Sequence, residues 1–470
     1  MVSNKLSGLT ATEAIKGLRE GQFSRVDLVK AAIARIEAVD GQINALPIRC
    51  FDRALDRAAT LDTDPTASEL PLAGLPIAVK DYNDVGGVRT TYGSPIFADN
   101  IPERSDATIS RLEANGAIPI AKSNVPEWAG GHTFNPVLGL TRNPWNTARS
   151  AGGSSGGSAA ALASGQVWLA TGNDLGGSLR TPAGFNGVVG LRPSPGVVPR
   201  GTRLQSFDTL WVEGPMGRCV QDVALMLDAG SGSHADDPLA FDSIGTFAEA
   251  AETPAPPACA AFSPDLGVVP MSKAIAKITS AAAGQLAAAG VEMTNEIPDF
   301  SGAFDAFQTL RAVLLGTMMG RMLETHRDQI NPDIVTNIEK GFDVSPEQIF
   351  TAERTRWGLA QHMTRFFETH DVLICPTCSV SPFPVERPYV TEIDGQECET
   401  YIDWFAITFL LTLTACPVIS LPCGFTNEGL PVGLQLVGPP RGEAKLLRIA
   451  RWAEAQFGIA EMLPIDPRHE

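Results

Sequence analysis

The chain has 470 residues, 44% of them hydrophobic, and a formal net charge of −17. Such a length and apolar share suit a large buried interior and exclude a disordered chain. The acidic field repels nucleic acid and anionic lipid, so neither is expected as a partner, while a local basic pocket stays compatible with it.

The first forty residues read as two helices. Thr10 with Glu13, and Ser24 with Asp27, have the spacing of reciprocal N-caps. Val26, Leu28, Val29, Ala32, Ile33 and Ile36 put an apolar stripe on the second helix. The opening MVSNKLSGLTATE lacks the apolar segment of a secretory signal. From residue 72 strand and helix alternate. An apolar run over 75–79 ends at Lys80, and Ser105 caps a helix that stops near Asn115 and Gly116. A strand follows over 117–121, then a helix beginning within 152–158 and a strand over 167–171. This order favours parallel pairing and an α/β sheet.

Residues 230–262, rich in Ser, Gly, Ala, Pro and Asp, read as a surface loop or linker. Helical segments over 271–289, 302–325 and 346–369 read as a lobe packed on the sheet. Strands over 371–375, 418–422 and 432–437 and a helix over 443–457 close the chain. The most apolar run, 404–422, contains threonines and is broken by Pro417, so it reads as core and not as a membrane span. Eight cysteines are scattered. Cys375 and Cys378 form a CPTC pair, but no second pair stands at zinc spacing, so these read as buried thiols and a reducing cytoplasm is the simplest compartment.

Three segments carry chemistry. GLPIAVKD at 74–81 puts Lys80 just beyond a strand, GGSSGGS at 152–158 leads into an alanine-rich helix, and GNDLGGSLRTPA at 172–183 follows a strand. Each alone has a plain explanation as solvated charge, linker or turn. Together they fall at strand carboxyl ends or helix amino ends, the edge where open α/β sheets collect ligands. A serine hydroxyl attacks only if a base takes its proton. A lysine serves as base only when neutral, which at its ordinary pKa holds for about one molecule in two thousand at pH 7. Burial and a nearby helix amino end lower that pKa. A second hydroxyl between them can pass the proton on, since it both donates and accepts. Leu175, Gly176, Gly177 and Ser178 supply consecutive N–H groups for an oxyanion, and Asp174 with Arg180 reads as a brace for their loop.

These segments resemble the amidase signature family, whose members carry a G-[LIV]-P-[LIVF]-x-[LIV]-K-D strand end, a GGSSGGS segment and a GSDTGGSIRxPA-type loop. The similarity extends through TTYGSP at 90–95, NGVVGLRPSPGVVPR, DVLICPT and PVISLPCGFTNEGLPVGLQLVGPP. It implies one large twisted mixed sheet covered by helices on both faces, with an inserted mainly helical lobe. The resulting division is a single domain over 1–470: N-terminal helices 1–70, a core with the catalytic segments at 71–230, a loop and helical lobe at 231–370, and a return to the sheet at 371–470. The resemblance implies Ser178 as nucleophile, Ser154 as a bridging serine held by a cis peptide, Lys80 as base, and Ser155 as support. The substrate it implies is a small amide, with no metal, no cofactor and no essential histidine, and a homodimer is the family-level expectation. Two departures stand out: Asn173-Asp174-Leu175 replaces SDT, and Tyr82 replaces the asparagine of KDN.

The family's variable segments place the acyl pocket at 125–140 and 305–325, with Trp128, Gly131, Leu315, Met318 and Met319 as candidates. Leu314, Leu315, Met318 and Met319 suit either an apolar acyl group or simple helix packing. The G-x-S-x-G elbow of α/β-hydrolases fits poorly, because a loop precedes the glycines and no histidine stands in a recognisable motif. A phosphate loop fits no better, lacking GK[ST]. The rival from within the family is the amidase component of a tRNA-dependent amidotransferase. That branch carries a YDGVRYG-like segment, absent around Thr317 to Met322 here.

Overall fold

The computed structural model describes residues 2–201, 206–243 and 245–469. Both N-terminal helices form as their caps dictate. Thr10 and Ser24 each accept from the backbone of the third helical residue, and Glu13 and Asp27 reach back to the cap N–H, starting Ala11–Arg19 and Arg25–Ile43. The other predicted cap differs: Asp106, not Ser105, stands before Ala107–Ala114, and the Ser105 hydroxyl instead accepts from Gly86 N–H at 2.9 Å.

Eleven strands make one mixed sheet. Across it the order is Ile48–Arg49, Ile118–Ser123, Pro76–Lys80, Leu169–Asp174, Val212–Gly217, Val189–Arg192, Val418–Phe425, Pro431–Val437, Val372–Pro376, Cys259–Phe262 and Glu292–Thr294. The strands around Pro76–Lys80 pair in parallel, as the strand–helix–strand order requires, and the middle of the sheet is antiparallel. Two of the eleven strands, Cys259–Phe262 and Glu292–Thr294, come from stretches read as linker and helical lobe. Their short apolar runs carry too little period to stand out in sequence.

Alternation along the strands shows how both faces are covered. Ala260, Val372, Ile374, Ile419, Leu421, Leu434 and Leu436 face a core shared with helices Val220–Gly230, Lys273–Ala288 and Glu443–Phe457. Their neighbours Ala261, Leu373, Cys375, Val418 and Val437 face the opposite core, closed by Ala303–Met319, Pro346–Phe366 and Ala406–Thr412. A period of two thus sorts one strand's residues into two interiors. The run read as core at 404–422 is buried within that second interior and the sheet. Among the described residues no helix is long and apolar enough to cross a membrane. All eight cysteines are free thiols, and burial pushes the Cys375 thiol up to about 12.

Replacing Ser24 by Ala removes a reciprocal cap and should cost about 1 kcal/mol in denaturant unfolding. Activity should stay unchanged, because the helix end is remote from the strand ends described next.

Candidate active site

The parallel strands bring three segments together. Pro76–Lys80 and Leu169–Asp174 are paired neighbours, so Lys80 and Asn173 emerge side by side. The helix Gly156–Ala163 starts above them and presents the preceding Ser154. Lys80 Nζ lies 2.7 Å from Ser154 Oγ and 2.5 Å from Asn173 Oδ1, while its backbone N–H donates to Thr171 Oγ1 at 2.9 Å. The side chain is completely buried. Burial lowers its pKa to about 7, although the Glu213 and Asp174 charges pull the other way.

A second buried lysine next door has different partners. Lys122, on the neighbouring strand, forms an ion pair with Asp81 at 3.1 Å and donates to Thr90 Oγ1 and Asn83 O, both at 2.7 Å. Among the described residues Lys80 has no carboxylate in ion-pair range; both of its partners are neutral. Asp81, adjacent in sequence to Lys80, is therefore spent on Lys122 and Thr91.

Ser154 is buried and follows a cis peptide from Gly153. No side chain fits at Gly153, where a Cβ would stand 2.2 Å from Gly131 O. Ser155 contributes its backbone, its N–H donating to Ser178 O at 3.3 Å; its hydroxyl is buried without a partner. Ser178 itself is half-buried on the cavity wall, and among the described residues its hydroxyl makes no hydrogen bond. Only the lysine half of the expected relay is hydrogen-bonded in this state.

The loop carrying Ser178 is built around Asp174. Arg180 grips its carboxylate through Nε at 3.0 Å and Nη2 at 2.9 Å, and Arg192 adds Nη1 at 3.2 Å, all side chains fully buried. Burial alone would raise the Asp174 pKa, but the two guanidinium charges outweigh it and hold the group well below the usual range. The expected Asp174–Arg180 brace is present; Arg192, in the VGLRP strand, was not foreseen. Asp174 also accepts the N–H of Gly177 at 2.9 Å and of Leu179 at 3.2 Å. This corrects the expected oxyanion set, because the Gly177 N–H is already used. The N–H groups of Leu175, Gly176 and Ser178 have no partner among the described residues. Gly177 has φ +123°, and a Cβ there would meet Thr408 Oγ1 at 2.2 Å, so glycine is required. Thr408 in turn donates to Gly176 O at 2.6 Å.

The cavity outside Ser178 opens to solvent. Trp128, Gly131 and Leu315 line it as expected. Met318 and Met319 do not: they pack with Ile330, Ile334 and Ile338 under the helix Pro332–Asp343. They share the helix face of Leu315 but stand one turn further along it, beyond the cavity. Tyr82, where the family pattern has asparagine, stands 4.9 Å from Trp211 between ring centroids and joins an aromatic wall with Tyr92 and Trp128. Besides Arg192, two residues escaped the sequence reading. Glu213 is a buried carboxyl that accepts from Asn83 Nδ2 and Trp211 Nε1, and burial raises its pKa. Arg311 lines the cavity from the helix Ala303–Met319. A lone charge inside each apolar segment (LWVEGPMG and LRAVLLG) was the available signal.

The comparisons agree with this geometry. Residues 27–447 match the family model described as Amidase. An acylamidase of Rhodococcus erythropolis is 31% identical, covering 99% of both chains. A glutamyl-tRNA(Gln) amidotransferase subunit from Alkaliphilus metalliredigens is also 31% identical, over 98% of this chain and 99% of that one. The crystal structure of a bacterial aryl acylamidase superposes with a TM-score of 0.88 at 26% identity, covering 98% of this chain and all of the other. The chain belongs to the amidase signature family and is a hydrolase acting on carbon–nitrogen amide bonds.

Asp174→Ala would leave Arg180 and Arg192 buried without their shared counter-charge. It should cost about 3–5 kcal/mol in denaturant unfolding, measurable even in protein without activity.

Proposed function

We propose that this chain hydrolyses a small carboxamide to a carboxylate and ammonia or an amine, through Ser178, Ser154 and Lys80 and a covalent acyl-enzyme. The observation that carries the reading is a buried lysine amine, 2.7 Å from Ser154 Oγ, whose pKa burial lowers to about 7. An amine so placed is neutral in a large fraction of molecules near pH 7, and a neutral amine has a lone pair for a hydroxyl proton. Asn173 Oδ1 takes one amine N–H, which turns that lone pair toward Ser154.

In the first step Ser178 Oγ attacks the amide carbon as its proton moves to Ser154, whose own proton moves to Lys80. This requires the Ser178 hydroxyl to swing onto Ser154 when substrate arrives, a tightening common to catalytic hydrogen bonds that are loose without substrate. The carbonyl oxygen gains the negative charge and rests against the free N–H groups of Leu175, Gly176 and Ser178. Collapse breaks the C–N bond, and the leaving nitrogen takes the proton back from Lys80 through Ser154. Water then attacks the ester by the same route, releasing the acid and restoring Ser178.

Similarity to an amidotransferase component supports a second reading, in which glutamine is the amide and ammonia passes to a partner enzyme. The missing YDGVRYG-like segment favours a free-standing enzyme. Glutaminase activity that appears only with a second protein bound would reverse that preference.

Ser178→Ala should abolish turnover and acyl-enzyme trapping by mass spectrometry. Lys80→Ala should lower kcat/KM at least about a thousandfold, and Ser154→Ala should be severe with residual activity where water bridges the gap. Lys80 is charged below its pKa and neutral above it, so kcat/KM should fall as pH drops through about 7. A profile flat from pH 5 to 9 would remove Lys80 as the base.

A further inference from the structure

Among the described residues the cavity that holds Ser178 has one charged side chain in its wall. Arg311 is 7% exposed and lies between Phe307 and Leu315 on one helix face, one turn from each. Among the described residues no carboxylate lies in ion-pair range of its guanidinium, and no Asp or Glu lines the cavity. Its hydrogen bonds go to neutral acceptors. Nη1 donates to Asn337 Oδ1 at 2.5 Å and Nη2 donates to the Tyr401 hydroxyl. Two of five N–H groups are thus used, leaving three without an acceptor among the described residues.

A buried guanidinium is normally paired, because taking an uncompensated charge out of water is costly. Of the other buried arginines described, Arg180 and Arg192 share Asp174 and Arg25 pairs with Asp62 at 3.3 Å, while Arg218 donates only to the backbone carbonyls of Ser7 and Leu9. Arg311 too lacks a carboxylate, and unlike Arg218 it stands in the wall of the cavity beside Ser178. Other unpaired groups in that wall are donors too: Trp128 Nε1 and Asn173 Nδ2 are buried without an acceptor. A cavity of unsatisfied donors around one cation, with apolar surface from Phe307, Leu315 and Phe405, is complementary to an acceptor-rich anion on an apolar spacer.

We propose that the amide substrate carries a carboxylate and that Arg311 selects it. This rests on the hydrolase reading above and adds the substrate class. A planar guanidinium pinned by Asn337 and Tyr401 presents its remaining N–H groups in a fixed fork, which suits a carboxylate. If Arg311 were only a brace between its helix, Asn337 and Tyr401, the charge would serve no purpose on the cavity side, and charged and neutral substrates would suffer alike from its loss.

Two substrate series locate the carboxylate. Glutaramic acid against pentanamide places it on the acyl side; N-propionyl-β-alanine against N-butylpropionamide places it on the amine side. In one series the wild-type enzyme should favour the charged member by about tenfold or more in kcat/KM, chiefly through KM. Arg311→Met should abolish that preference, the charged member losing at least about tenfold more kcat/KM than the neutral one. Arg311→Lys, which keeps charge without the fork, should keep part of it. Should the methionine variant fail to fold, competitive inhibition of the wild type decides: glutarate or β-alanine should inhibit at least about tenfold better than its uncharged counterpart. Equal turnover of charged and neutral members in both series, equal losses in Arg311→Met, or no advantage of the anionic inhibitors would each overturn the assignment. Absence of turnover for every amide, or turnover surviving Ser178→Ala, would instead strike the hydrolase reading.

Discussion

The site depends on keeping one amine dry and without a counter-ion. Lys80 is enclosed completely, and the atoms within reach of its Nζ are a hydroxyl and an amide oxygen, not a carboxylate. Each half of that statement matters. A solvated amine would be protonated near neutrality, and a carboxylate beside a buried amine favours the charged form against burial. Lys122 supplies the internal comparison: burial lowers its pKa too, but the Asp81 charge and hydrogen bond pull it back toward the ammonium. The difference between two lysines on adjacent strands is the direction in which one aspartate points.

A neutral lysine has few means of fixing its own position, so the scaffold around it must be stiff. The nearest stiff element is the Asp174 hub. Two arginines, two backbone N–H groups and, through Arg180, Thr408 O, Thr412 Oγ1 and Gln435 Oε1 lock the loop that carries Ser178. Buried ion clusters add little net stability when compared with apolar packing. Their use here is geometric, since every hydrogen bond from the hub directs a peptide plane. By taking the Gly177 N–H for itself, Asp174 also decides which neighbouring N–H groups stay free to face the cavity.

Local reasoning reached far where a motif lies on one short stretch of chain. The capping boxes at Thr10 and Ser24 formed as spaced, and the strand ending at Lys80 appeared within a residue of its reading. So did the closing helix Glu443–Phe457. Period and cap chemistry act over four or five residues, so one sequence carries them whole. The Asp174–Arg180 brace was legible for the same reason, with six positions separating the partners. Resemblance to a family added the roles of residues at 80, 154 and 178, which no single segment specifies.

What the chain alone determined, then, is the set of strand ends and turns on which a lysine and two serines would stand. Tertiary structure decided which of them are wired together. Arg192, Thr408 and Gln435 meet Asp174 or Arg180 from strands and a helix far along the chain, and no periodicity announces such contacts. Met318 and Met319 fall outside the cavity and Arg311 inside it because the cavity reaches only part of the way along one helix face. Sequence spacing defines a helix face but not the neighbour it meets. The charge state of a buried group is settled by that neighbour.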